Sequence, residues 1–159
     1  NSSAKEAMQT AIGQGKTLIT PLHNAMIVST IANGGAMMKP YVVDYVENAY
    51  DGVVKTYSPQ LYSNPMTPQE AEYIGGMMRK VVTEGTAIKL MNMKAEAAGK
   101  TGSADHGKEK AHSWFVGYAP YDNPEIAVSI IVESVGTGSE YAVPIAREIF
   151  EAYFNSENK

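Results

Sequence analysis

The chain has 159 residues, enough for one domain, or the end of a larger one, with a real core, and its 44% hydrophobic share argues against disorder. A net charge of -4 gives no reason to expect nucleic acid or an anionic bilayer as partner, and the ten tyrosines are scattered without an interleaved basic stripe. The absence of cysteine excludes disulfides and thiolate metal sites while leaving the redox compartment open, and no apolar run reaches the length of a membrane span.

Thr20 is placed to cap a helix with Pro21 at its first position. Leu22, Met26, Ile27 and Ile31 then recur on one face until Gly34 and Gly35 stop it, which predicts a buried helix. Tyr41 to Val46 and Val53 to Tyr57 are rich in valine and tyrosine and read as a hairpin across Asn48 to Gly52, with a structural role. Thr67, Pro68 and Glu70 form a capping box that opens a helix through Ile74, Met77, Met78, Val81 and Val82, ending near Gly85.

From about Ala95 the period becomes that of strands. One run carries Gly99 to Ser103, a second spans Ser113 to Ala119, and a third spans Ile126 to Glu133. The short Pro120 to Pro124 turn makes the last two antiparallel neighbours. Tyr141 to Phe154 pairs Ile145 with Ala146, Ile149 with Phe150 and Tyr153 with Phe154 on one helical face, and Pro144 fits only in the first turn. The expected fold class is α+β: a three-stranded antiparallel sheet packed with helices, without internal repeats or linkers.

Chemistry concentrates at Ala97 to Ala104, A-A-G-K-T-G-S-A. A cation at Lys100, hydroxyls at Thr101 and Ser103 and the unobstructed backbone of Gly99 and Gly102 suit a strand lying against a bound carboxylate. A strand lysine is ordinarily a solvated side chain, but glycines weaken a strand and mark places where a backbone or ligand comes close.

Other candidates are weaker. Ser2 to Lys5 and Ser156 to Lys159 both satisfy serine-x-x-lysine, the spacing that sets a base one helical turn from a hydroxyl. The first lacks an apolar helix to bury it and the second lies on a polar tail, so both read as chance. Gly15-Lys16-Thr17 and Gly99-Lys100-Thr101 fail as phosphate loops, because Thr10 and Lys94 stand where the first glycine belongs. His23, His106 and His112 have no metal-ligand spacing; the last two read as solvated residues flanking a charged loop, and no metal or cofactor is expected. Trp114 and Phe115 read as core and cleft wall, and Met37, Met38, Met77, Met78, Met91 and Met93 as gap fillers.

The box Lys100-Thr101-Gly102 resembles the lysine-threonine-glycine box of penicillin-binding proteins and serine β-lactamases. H-S-W-F-V-G-Y-A-P at His112 to Pro120 and E-I-A-V-S-I-I-V-E at Glu125 to Glu133 resemble the two strands that follow it in penicillin-binding transpeptidases. Upstream, G-Q-G at Gly13 to Gly15, T-P-L at Thr20 to Leu22, I-A-N-G-G at Ile31 to Gly35 and G-T-A at Gly85 to Ala87 fit the same family in the same order. The resemblance covers nearly the whole chain.

That resemblance implies specific roles. Lys100 directs positive potential toward a substrate carboxylate and the nucleophile's proton network. Thr101 and Ser103 offer hydroxyls to the terminal carboxylate of a D-alanyl-D-alanine stem peptide or of a β-lactam, and Gly102 keeps the strand face clear. The Ser103 N–H supplies half of an oxyanion hole, the other half coming from the nucleophile's own N–H. A peptide substrate can also pair with this strand. Many transpeptidases carry threonine where Ser103 stands, so a methyl is lost here and the hydroxyl kept.

The family's serine nucleophile box and serine-x-asparagine box both precede this stretch. The chain is therefore expected to be the carboxy-terminal part of a transpeptidase domain, inactive alone, with an apolar edge or face covered by the upstream part of its own polypeptide or by another copy. The implied location is outside the cytoplasm, anchored to the cell membrane through a segment not in this sequence. A serine β-lactamase and a non-catalytic β-lactam sensor or binding module are the rivals; the G-Q-G, T-P-L and A-N-G-G series favours the transpeptidase over the lactamase.

Overall fold

The computed structural model describes residues 3–14, 17–105, 107 and 110–156. In chain order they form α1 (Ala4–Ala11), α2 (Pro21–Ala32), β1 (Met37–Met38), β2 (Tyr45–Asn48), β3 (Gly52–Thr56), β4 (Leu61–Ser63) and α3 (Pro68–Thr83). A 3-10 turn (Ile88–Leu90), β5 (Ala98–Ala104), β6 (His112–Ala119), β7 (Ile126–Val132) and α4 (Ala142–Ser156) follow. The serine-x-x-lysine candidates at Ser2 and at Glu157 to Lys159, the lysine of Gly15-Lys16-Thr17, and His106 lie outside the described residues.

The expected sheet forms, in the order β5-β6-β7 and antiparallel throughout. Register sets its two faces, because side chains alternate along each strand. Phe115, Gly117 and Ala119 face α4, whose Val143, Ala146 and Phe150 pack with Phe115 and with Leu90 of the 3-10 turn. Val116 and Tyr118 face the other way, against Val28 and Ile31 of α2 and Met78 of α3. The sheet is thus sandwiched between α4 on one face and the α2–α3 pair on the other, the three-strand α+β arrangement expected of the sequence.

Local chemistry explains the helix ends. Thr20 Oγ1 accepts the His23 N–H at 3.1 Å and Pro21 takes the first helical position, where a missing N–H costs nothing. Gly34 and Gly35 leave the helix with φ of +59° and +93°. Thr67 and Glu70 close the expected capping box on α3. Helix α1 has the same device, Ser3 with Glu6, at a place where the sequence reading anticipated no helix.

Three expectations shift. Leu22 is 60% exposed while Met26, Ile27 and Ile31 on the same face are only partly buried, and the fully buried residues of α2 are Val28 and Thr30, Thr30 bonding back to the Met26 carbonyl at 2.7 Å. In α4 the period is right but the buried face turns toward Ala142, Val143, Ala146 and Phe150, with Ile145 and Ile149 at its margin. The hairpin begins at Tyr45, not Tyr41, every residue of its two strands is exposed, and a second ribbon joins β1 to β4. Among the methionines, Met78 and Met93 are buried fillers, whereas Met77 and Met91 stand exposed.

Candidate functional site

Strand β5 lies at the margin of its sheet: β6 pairs with one side, and among the described residues no strand pairs with the other. Such an edge displays unpaired N–H and C=O groups. Gln14, just past α1, donates from Nε2 to the Ser103 carbonyl at 3.0 Å, and Lys100 Nζ donates to the Thr101 carbonyl at 2.6 Å. In an antiparallel strand the N–H and C=O of one residue point to the same side, so the Ser103 amide faces this free edge.

Lysine and hydroxyls leave the strand on opposite faces. Lys100 shares its face with Trp114 and Val116, and these line a cleft of about 540 Å³ whose far wall includes Gln14, Leu18 and Asn24. Lys100, Asn24 and Val116 also line a second, apolar cavity of about 430 Å³, floored by Ile31, Ile74 and Met77 between α2 and α3. Thr101 and Ser103 sit on the face toward α4. The Thr101 and Thr86 hydroxyl oxygens are 2.6 Å apart, and Ser103 Oγ accepts the Gly138 N–H at 3.3 Å. Cation, hydroxyls and the Ser103 amide therefore come together only along the free edge of β5.

The turn behind the hydroxyls is held in place. Buried Ser113 donates to the Thr137 carbonyl at 2.8 Å and accepts the Ala142 N–H at 3.0 Å, tying the turn to the start of α4. Gly138 is obligatory there: a Cβ would lie 2.5 Å from the Trp114 carbonyl oxygen and 2.8 Å from that of Gly102. His112, read as a solvated loop residue, instead opens β6, lines the cleft and accepts the Ser134 N–H on Nδ1 at 3.0 Å.

Sequence reasoning brought Lys100, Thr101, Gly102 and Ser103 to one strand, and the structure keeps them at one edge. It gave no role to Gln14, Thr86, Ser113 or Gly138. The first two stand inside motifs already noted, G-Q-G and G-T-A, so a signal was present; for the others only the fold reveals the contact. Gly99 proves to be a packing glycine, since a Cβ there would lie 2.3 Å from the Phe115 ring, and it makes no room for a ligand.

Comparison with known proteins shows the family and the fold. The family model described as penicillin binding protein transpeptidase domain matches residues 1–151. The chain is 34% identical to peptidoglycan D,D-transpeptidase PbpA of Mycobacterium tuberculosis over 160 residues, covering 93% of this chain and 32% of that protein. It is 33% identical to MrdA of Haemophilus influenzae, covering 94% of this chain and 26% of the other. A solved structure of penicillin-binding protein A from M. tuberculosis, an imipenem acyl-enzyme complex, superposes with a TM-score of 0.84 at 34% identity, covering 92% of this chain and 33% of that one. The chain spans about a quarter to a third of the length of these relatives. With a family model matched over residues 1–151 and relatives more than 30% identical over nine-tenths of its length, the chain belongs to the penicillin-binding protein transpeptidase family.

Proposed function

We propose that this chain is the carboxylate-gripping part of a peptidoglycan D,D-transpeptidase, which cross-links stem peptides by serine acyl transfer and is acylated by β-lactams. One observation carries the reading: the Ser103 amide stands at an open strand edge between a lysine on one face and two hydroxyls on the other. A D-alanyl-D-alanine terminus, or the carboxylate of a β-lactam, lies along β5 with its anion on Thr101, Ser103 and the field of Lys100. Gly102 leaves the strand face open beside it. The attacked carbonyl oxygen becomes an oxyanion that takes the Ser103 N–H as one donor.

The attacking hydroxyl belongs to a serine in polypeptide outside these 159 residues. With the stem peptide, that serine forms the acyl ester as the peptide C–N bond breaks, the terminal D-alanine leaves with the proton on its amine, and an acceptor amine then attacks the ester to release the cross-linked product. With a β-lactam the ring C–N bond breaks and the protonated nitrogen stays tethered to the acyl group. The serine's own N–H completes the oxyanion hole. The reaction takes place outside the cytoplasmic membrane, where stem peptides are joined.

Labelling with a fluorescent penicillin tests this. The full-length polypeptide is expected to retain the label through slow deacylation, and the 159-residue chain alone to take none. Lys100→Ala in the full-length protein lowers the acylation rate by about a hundredfold or more, the scale of losing a charge-stabilising group in such a site. Rapid turnover would mark a β-lactamase instead, and a label on the isolated chain would place the nucleophile within it.

A further inference from the structure

We infer that Thr86 is a positioning residue that sets the direction of the Thr101 hydroxyl toward the ligand carboxylate; the inference rests on the transpeptidase reading of the same edge. The two hydroxyl oxygens are 2.6 Å apart, so one donates to the other. Each hydroxyl has a single proton, and a carboxylate offers only acceptors. If Thr101 spent its proton on Thr86, it would face the ligand with lone pairs and repel it. Only the order Thr86 to Thr101 to carboxylate places a proton in every contact, and such a chain strengthens each of its bonds.

The scaffold holds Thr86 for this task. Helix α3 is closed by Glu84, whose N–H bonds to the Lys80 carbonyl. Gly85 follows at a place where a Cβ would lie 3.0 Å from the Val81 backbone. Ala87 is wholly buried and donates its N–H to the Val81 carbonyl at 3.0 Å. Thr86, fixed on both sides, is itself exposed, so its hydroxyl carries no part of the core. Ser103 has the matching arrangement, with the Gly138 N–H occupying one lone pair and the hydroxyl proton left for a ligand. Both box hydroxyls are thus supplied with a donor from behind.

The experiment compares Thr86→Val and Thr86→Ser in the full-length polypeptide, reading the acylation rate constant with a penicillin and with its methyl ester, which keeps the reactive lactam but lacks the anion. Thr86→Val is expected to slow acylation by the free acid about tenfold, the scale of a hydrogen bond to a charged group. It should change the ester rate by less than about twofold, while Thr86→Ser stays near wild type with both. Equal losses with acid and ester, or no loss with either, overturn the inference while leaving the transpeptidase reading intact. Wild-type protein that takes no label from the free acid overturns that reading and this inference with it.

Discussion

At the residue scale, the glycines of the box show what a sequence can and cannot say. Gly99 and Gly102 both signal close approach, but the signal does not name what approaches. Cross-strand register answers it: Gly99 and Gly117 are partners across β5 and β6, and the Phe115 ring lies over both, with ring atoms 2.3 and 2.6 Å from where their Cβ atoms would be. Gly99→Ala drives a methyl into a fully buried ring and a backbone carbonyl, and is expected to cost roughly 1–3 kcal/mol in a urea titration. An unchanged midpoint would mean that Phe115 does not occupy this seat. Lys100, Thr101 and Ser103, by contrast, could be placed together from the sequence because cation, hydroxyl and amide lie within four positions of one strand.

Tyr118 adds a pH dependence that no motif announces. Its side chain is buried against α3, and a Cβ on Gly75 would lie 2.6 Å from its hydroxyl. Burial, with a smaller contribution from the neighbouring Tyr121, pushes its pKa up from 10.0 to about 12. The unfolded chain therefore gives up this proton near pH 10 while the folded one keeps it, so the neutral phenol's contribution is whole below pH 10 and is lost as pH rises toward 12. Tyr118→Phe should flatten the decline of stability over that window. Superimposable alkaline unfolding curves for the two proteins would contradict the assignment.

At the element scale, legibility followed how local the deciding interaction is. The caps of α2 and α3 are three-residue chemistry, so their starts could be read directly. The α1 cap is equally local, and Ala4, Ala7, Met8, Ala11 and Ile12 recur behind it at helical spacing, so a signal was present in the sequence, carried mostly by small alanines in a polar run. Ribbon β1–β4 joins a two-residue strand to a three-residue strand across the whole hairpin, beyond the reach of any pattern. Burial of α2 and α4 depended on which neighbour each helix meets, which a period alone cannot say.

The α3 box gives a measurable consequence of the local kind. Glu70 accepts from the Thr67 N–H at 2.7 Å and from its hydroxyl at 2.8 Å, which together hold the carboxyl below its ordinary 4.5. Its contribution is present above that value and fades as the pH falls through the lowered one. Thr67→Ala removes the cap and is expected to cost about 1 kcal/mol near neutral pH. The cost should shrink in acid, where Glu70 is protonated; a pH-independent loss would assign it to the threonine alone.

At the scale of the whole molecule, two cavities share Lys100, Asn24 and Val116, and only one of them is polar enough to hold a charged substrate end. The apolar one, between α2 and α3, is open along Ile27, Ile31, Ile74 and Met77. Under the proposed function its occupant is the nucleophile-bearing part of the polypeptide. The relatives are about three to four times as long as this chain, and under the proposed function whatever fills this groove lies beside Lys100, where the attacking serine has to be. The 159-residue chain alone should therefore bind an apolar dye such as anilinonaphthalene sulfonate and run larger than a monomer on gel filtration. Met77→Lys, at the 47% exposed rim, should reduce both, and the full-length polypeptide should bind much less dye than the isolated chain. Dye binding that persists undiminished in the full-length protein would show that nothing in the polypeptide covers the groove, and the nucleophile would then have to reach Lys100 from the polar cleft on the Gln14 side.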